Sequence, residues 1–555
     1  MGPAPRGRHG VFILLRRLRL PLIVLIVVYA VAVLGFTLVP GVDPQGAPWR
    51  MSFLHAFYFV SFLGTTIGLG EIPQPFSDAQ RLWVTASLYA TVVAWLYAIG
   101  ALFAALQDPA FRRLLHESSV ERRVRRLREP FVLLCGYDDA GYRVTRELTE
   151  SGIRVVALDI ERTHVDAADV DDHPMAVPAL EGDASDPRAL TLAGLTHRHC
   201  TAVLALTGDD AINTKVALSA RLLNPALPVL VAARDHAWHP RMAAAGADHI
   251  LNPFDTFAER VAMALRTPSL HVIYEALTTQ SGTAMDAPPR LPRGRWVLCG
   301  FGLFGRTLRR QLTALKIACV VVDTRLDDSC DPHNSVCGDA TDPAVLRRAG
   351  LDEADAVVAG TEVDIDNLAI VLAARSINRK AFVVARQTQR RNSAVFRASD
   401  ADLVMFSGYV VAAEVLRHLR APLLSVFLRR ARDEGEAWAA ELLQRLRDSV
   451  GAEILESWTL TLGRHDAGHT LRELMTRQDG SGELVRAVPL LLQRGQERVL
   501  LPDLDRALLP GDQVLTCGRA LARQRMQRQV QALATPMSRS SGLSTPPVRA
   551  EARGG

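Results

Sequence analysis

Trp296-Val-Leu-Cys-Gly-Phe-Gly-Leu-Phe-Gly305 runs a short apolar stretch into glycines at 300, 302 and 305. Four apolar residues followed by Gly-x-Gly-x-x-Gly predict a buried strand, a tight turn and the start of a helix. The first glycine permits the turn, the second lets a diphosphate approach the backbone, and the third lets helix and strand pack closely. Val320-Val-Val322 predicts the next strand, and Asp323 ends it, eighteen residues after Gly305. An acid there accepts from ribose hydroxyls while a diphosphate rests on the helix N-terminus. Gly300, Gly302, Gly305 and Asp323 therefore form the candidate nucleotide set. Arg325 beside them reads equally as a phosphate contact or a solvated surface charge.

The stretch has an earlier counterpart, Phe131-Val-Leu-Leu-Cys-Gly-Tyr-Asp-Asp-Ala-Gly141. The offset is 164 for Gly136/Gly300, Gly141/Gly305 and Asp159/Asp323, then 156 for Gly182-Asp-Ala-Ser-Asp186 against Gly338-Asp-Ala-Thr-Asp342. It is 154 for Arg221/Arg375 and Asn224/Asn378, so one domain has been duplicated with small deletions. Each copy alternates short β-branched runs with helix-like stretches such as 211–223 and 367–377, the pattern of a doubly wound parallel sheet. The first copy carries Asp138 where the second has Gly302, and a carboxylate there repels a pyrophosphate. Gly136, Asp138, Gly141 and Asp159 thus form an altered site, read as vestigial or as holding a cation or another ligand. Asp209-Asp210 and Asp364/Asp366 precede helix-like stretches, as capping residues or, alternatively, as metal ligands.

Outward from this pair, the 555 residues suggest three or four domains. A net charge of +5 makes no case for nucleic-acid binding, which needs a concentrated basic face. Seven cysteines without a CxxC pair show no disulfide framework and no zinc site. Hydropathy is sharply segregated: 20–39 and 83–106 are uncharged runs, and at ~1.5 Å per residue each is long enough to cross a hydrocarbon core of about 30 Å. The first run is too long for a cleaved signal segment. Arginines crowd residues 6–19 and 112–128, with only Arg50 and Arg81 between the runs. Both ends are therefore predicted to be cytoplasmic, with 40–81 facing outward.

The joining loop is itself apolar from Phe53 to Leu63, too short to cross, and is followed by Thr65-Thr-Ile-Gly-Leu-Gly-Glu71. Irregular backbone at membrane depth needs its carbonyls satisfied by protein or by a water-filled cavity. Glycines at alternate positions let successive carbonyls point one way, and four such strands round an axis replace a cation's hydration shell. Span, half-helix, Thr-Thr-Ile-Gly-Leu-Gly-Glu and span resemble the pore module of the potassium channel superfamily, whose usual signature is TVGYGD. The resemblance places Thr66, Ile67, Gly68, Leu69 and Gly70 on the selectivity filter, Tyr58 and Phe59 on the aromatic pair behind it, and Glu71 on the outer pore charge. Leu69 departs from the usual Tyr or Phe, and Glu71 from the usual Asp, so the filter loses one bracing hydrogen bond. Gly100 reads either as a gating hinge or as a close-packing glycine.

The duplicated domains resemble the regulator-of-potassium-conductance (RCK, TrkA-N) domains of prokaryotic potassium channels and transport regulators. That resemblance adds Asp339 of the Gly338-Asp-Ala-Thr stretch to the nucleotide set. It likens 452–525, with its turn Leu509-Pro-Gly-Asp512, to the smaller C-terminal (TrkA-C) ligand lobe. The expected organisation is a cytosolic N-terminus (1–19), a pore module (20–106, with pore helix and filter at 51–71), a basic linker (107–130) that suits a lipid surface, RCK domains at 131–280 and 296–420, a helical connector (421–451), the α+β lobe, and a disordered tail (534–555). The implied protein is a homotetrameric, non-enzymatic potassium channel of the inner membrane, with eight RCK domains in a ring. NAD(H), another adenine nucleotide or a divalent cation would gate it. Two rivals are a regulatory NAD-binding subunit of a separate potassium transporter and a membrane-anchored NAD(P) oxidoreductase. The latter needs a proton-transfer residue, and the sequence offers no candidate.

Overall fold

The structure, a computed structural model, describes residues 7–534 apart from 44–46, 66, 68–69, 73, 108–119, 279–290, 327–333, 452–454, 464–467 and 478–481. The chain divides into an N-terminal unit, Met1–Arg128 together with Pro178–Glu181 and Leu192–Gly194, and a larger C-terminal unit made of the remaining residues.

Two long helices, Gly7–Leu38 and Asp78–Gln107, dominate the N-terminal unit. Within them Leu18–Leu38 and Asp78–Ala105 are long and apolar enough to cross a membrane. Only 22% and 17% of these segments is buried within the chain, so neither is the core helix of a soluble fold. Between them lies the twelve-residue helix Phe53–Gly64, about 18 Å long at ~1.5 Å per residue and too short to span. Ser52 caps it, its side chain accepting from His55 N. Phe59 anchors this helix, edge-on to Phe36 at 5.0 Å, Phe62 at 4.9 Å and Phe76 at 5.0 Å. Both indoles that bind the long helices together have acceptors: Trp83 Nε1 donates to Ala32 O at 3.1 Å and Trp95 Nε1 to Tyr29 Oη at 2.6 Å.

Two six-stranded sheets follow along the chain. Strands of the first are β1 (Phe131–Cys135), β2 (Arg154–Asp159), β3 (Ala179–Glu181), β4 (Cys200–Ala205), β5 (Val229–Ala232) and β6 (His249–Leu251). Those of the second are β7 (Trp296–Cys299), β8 (Cys319–Asp323), β9 (Ser335–Cys337), β10 (Ala356–Ala359), β11 (Phe382–Gln387) and β12 (Leu403–Phe406). Spatial order is β3-β2-β1-β4-β5-β6 in one and β9-β8-β7-β10-β11-β12 in the other, the doubly wound arrangement. The second sheet is parallel throughout. Central strands are buried along their whole length, as expected where helices cover both faces of a sheet. The duplication read from the glycines is thus a duplication of fold.

The two copies interlock by exchanging helices. Pro253–Arg266, which follows β6, packs on the second copy's first helix, Leu303–Ala314, with Phe254 and Phe257 5.8 and 5.7 Å from Phe304. In return, Ser407–Arg420 packs on the first copy's Asp139–Glu150, with the Arg143 guanidinium 4.4 Å above the Tyr409 ring. Helices Pro268–Thr278, Pro422–Glu434 and Glu436–Val450 then share one core with Val488, Leu490 and Leu515 of a last lobe.

That lobe is an antiparallel sheet of β13 (Glu456–Thr461), β14 (Ala487–Arg494), β15 (Glu497–Leu500) and β16 (Gln513–Gly518), ordered β13-β16-β14-β15. Its turn at Leu509–Asp512 is fixed by the buried Asp512, which accepts from Leu509 N and, through both oxygens, from Arg494. The expected tail at 534–555 lies outside the described residues, except for Ala534 at the end of a helix.

Candidate functional site

At the crossover between β7 and β10 the second sheet opens a cleft of about 270 Å³. It is lined by Gly300, Gly302, Asp323, Arg325, Asp339, Thr341, Thr361, Glu362 and Asp366, among others. Five of the six residues assigned to the nucleotide set therefore face one cavity. Gly305, the sixth, sits behind it.

Backbone geometry explains the glycines. Gly300 has φ +92°, and a Cβ there would lie 3.0 Å from the backbone of Gly360. At Gly305 a Cβ would come within 2.1 Å of Gly300 O, so the helix can approach the strand only without a side chain. A Cβ on Gly302 would meet nothing within 4 Å, because that position faces the open cleft. Gly302 is also the N-cap of Leu303–Ala314 and supplies no capping side chain. Amide groups at that helix end are left to whatever the cleft holds.

Asp323 is tied into this turn. Its carboxylate accepts from Phe301 N at 2.6 Å and from Arg325 N at 2.8 Å. Burial pushes the group up, but these two amides and the Arg325 charge outweigh it, so its pKa lies below the ordinary carboxylate value. Asp339 accepts from Thr341 N and Oγ1, which also lowers its pKa. Arg325 is largely exposed, with Nε 3.5 Å from Asp323.

The first copy repeats the turn but fills it. Gly136 has φ +98°, and a Cβ on Gly141 would lie 2.1 Å from Gly136 O, as in the second copy. Asp138, however, places its carboxylate on the helix end, accepting from Ala140 N at 2.9 Å and Gly141 N at 3.0 Å. Burial raises its pKa. Asp159 accepts from Tyr137 N at 2.5 Å and Glu161 N at 2.8 Å. Arg390 of the second copy packs beside this turn, its guanidinium 3.5 Å from the centre of the Tyr142 ring and its amide donating to Asp139 at 2.6 Å. The helix end is thus capped by the chain's own carboxyl group.

Some contributors were not read from the sequence. Thr361 and Asn367 shape the cleft floor: Asn367 Oδ1 accepts from Thr361 N at 2.8 Å. Thr207 and Asn213 do the same in the first copy at 3.0 Å, and their shared spacing was a usable signal. The acidic pairs divide by role. Asp209 caps its helix, accepting from Ala211 N and Ile212 N. Asp210 and the buried Asp364 instead hold the loops after β5 and β11, Asp364 accepting from Thr388 N, Gln389 N and Asn392.

In the N-terminal unit, Thr66, Gly68 and Leu69 lie outside the described residues, while Ile67 and Gly70 are described. Ile67 N donates to Phe62 O at 3.2 Å, and Gly70 has φ +90°. Glu71 accepts from Arg81 Nε and Phe76 N, both at 2.9 Å, so its charge is paired within the chain. Phe59 is buried and Tyr58 exposed. Gly100 meets nothing within 4 Å, so no close packing inside this chain explains it.

A family model for the TrkA-N domain matches residues 132–253 and again 296–407. The chain carries two TrkA-N domains in tandem. Curated relatives of the chain include an uncharacterised protein of Methanothermus fervidus, 33% identical over 137 residues that make up 22% of each chain. Potassium channel protein 1 of Methanocaldococcus jannaschii is 24% identical over 41% of this chain and 67% of its own length. A solved structure described as the GsuK channel bound to NAD is similar over 94% of this chain and 100% of that one, at 16% identity. Its TM-score of 0.44 makes that likeness too loose to carry an argument. The match thus covers only about a fifth of the first relative and two thirds of the second.

Proposed function

We propose that the chain is one subunit of a tetrameric potassium channel of the cell membrane, gated by an adenine nucleotide in the second TrkA-N domain. The observation that carries this reading is the short capped helix Phe53–Gly64, set between two spanning helices and running directly into Thr66-Ile67-Gly68-Leu69-Gly70. A membrane anchor has no use for it. Four copies round an axis would turn those carbonyls into rings that replace the ion's water. Phe53, Leu54 and Phe57 are mostly exposed in the lone chain, which suits burial against lipid and neighbouring subunits. The name of the Methanocaldococcus jannaschii relative supports the same ion.

The second domain supplies the ligand site. Its uncapped helix end takes the phosphates, and Asp323, whose carboxylate is held ionised, accepts from ribose. NAD(H), ADP and ATP share that chemistry. The first domain keeps the fold without the site, because Asp138 occupies the phosphate position. Nucleotide shifts the gate only in so far as it binds open and closed rings of eight domains unequally.

Two measurements on purified full-length protein test this. Calorimetry with ADP and NAD should show binding that Asp323→Ala weakens at least about 10-fold, equal to ~1.4 kcal/mol. Potassium uptake into liposomes should proceed without any partner protein and change with nucleotide. Wild-type affinity in the variant would remove the site assignment, and absent flux would remove the channel assignment.

A further inference from the structure

His236, His239 and Asp255 bring two imidazole nitrogens and a carboxylate oxygen within 4.8 Å of one another. Local structure sets this up. His236 lies in a single 3-10 turn capped by Asp235, His239 opens the next helix, and the two rings stand 4.5 Å apart. Asp255 sits in the first turn of Pro253–Arg266, where a carboxylate is favoured. A fourth group arrives from the second domain: Arg310 Nη2 lies 3.0 Å from Asp255 Oδ1 and 2.9 Å from His236 Nε2.

The hydrogen bonding in this cluster is in conflict. His236 Nε2 is 2.7 Å from Asp255 Oδ1, which requires the nitrogen to donate. The same nitrogen faces the Arg310 guanidinium, which has only N–H groups and requires it to accept. One ring nitrogen cannot do both. Nearby, His239 Nε2 is buried with no hydrogen-bond partner among the described residues. A cation in place of the guanidinium removes the conflict, since lone pairs from imidazole and carboxylate can all point at it.

We propose that His236, His239 and Asp255 bind a divalent transition-metal ion of the zinc class, in competition with the Arg310 guanidinium. Two nitrogens and one carboxylate suit zinc or its neighbours and not calcium or magnesium, which take oxygen ligands. A tetrahedral ion with bonds of about 2.1 Å needs its ligands roughly 3.4 Å apart, so on binding the His236–Asp255 pair, 2.7 Å apart here, opens slightly while any wider gap, at most 4.8 Å, closes. Water fills the remaining position. Arg310 belongs to the helix that Pro253–Arg266 packs against, so metal entry releases one ion pair between the two TrkA-N domains.

Titrating the full-length protein in detergent with Co2+ and following its visible d–d absorption tests the site. One equivalent per chain should give the intense bands of a low-symmetry ion, displaced by Zn2+ and not by Ca2+. His236→Ala and His239→Ala should each weaken that equivalent at least about 10-fold. Arg310→Ala should tighten it several-fold. His236 lies on an exposed turn, so its variant keeps the test valid if the His239 variant does not fold. An unchanged Co2+ titration in His236→Ala would overturn the site, and equal displacement by Ca2+ would overturn the zinc class. Weaker binding in Arg310→Ala would overturn the competition.

Discussion

Asp138 and Gly302 occupy equivalent positions in the duplicated turn, and the proposed function turns on the difference between them. The Asp138 carboxylate satisfies two amides at its helix end, whereas Gly302 supplies no capping side chain; on the proposed reading this is why a phosphate goes to the second domain. Asp323 contributes on the other side of the cleft. Its folded pKa is depressed, so its stabilising effect is present above the ordinary carboxylate range and is lost as pH falls through the folded value. Melting temperature against pH should therefore fall less steeply on the acid side in Asp323→Asn than in wild type. Superimposable acid limbs would show that the two amides do not hold this carboxylate ionised. The sequence carried both acids plainly. The Glu71–Arg81 pair was hidden, because nothing in a ten-residue spacing shows that a loop folds back on a helix start.

At the scale of elements, the strand–turn–helix unit makes a sharper prediction, because two of its glycines do different jobs. Gly305→Ala drives a methyl into Gly300 O and should destabilise the domain by about 1–3 kcal/mol. Gly302→Ala meets nothing, should cost less than about 1 kcal/mol, and should weaken nucleotide binding by crowding the phosphates. Denaturation of the two variants beside calorimetry separates the roles, and equal stability losses would contradict them. The duplication and the parallel sheet were legible because buried parallel strands read as unbroken apolar runs such as Val320–Val322. The helix exchange was not legible. The amphipathic pattern of Ser407–Arg420 states that one face is buried, but not that Asp139–Glu150 buries it. Arg390 reaches Tyr142 of the first domain by the same kind of tertiary contact.

For the whole molecule, the two helices long and apolar enough to cross a membrane and the apolar helix between them leave a large apolar surface on a single chain. Four subunits and the surrounding lipid are the proposed cover. Gly68→Ala then tests the pore apart from the domains: tetramers should form and bind nucleotide as before, while potassium-selective current disappears. The apolar runs read from hydropathy, 20–39 and 83–106, fall inside the helices Gly7–Leu38 and Asp78–Gln107 but for the last residue of the first. The filter's own shape was not, since one chain supplies a quarter of the proposed ring. The bi-ionic reversal potential of purified channels in a planar bilayer, with potassium on one side and sodium on the other, tests the central claim most directly. The account predicts a reversal potential set by potassium and a current whose open probability changes on adding ADP or NAD to the domain side. No current, or a reversal potential at zero that nucleotide does not affect, would contradict it.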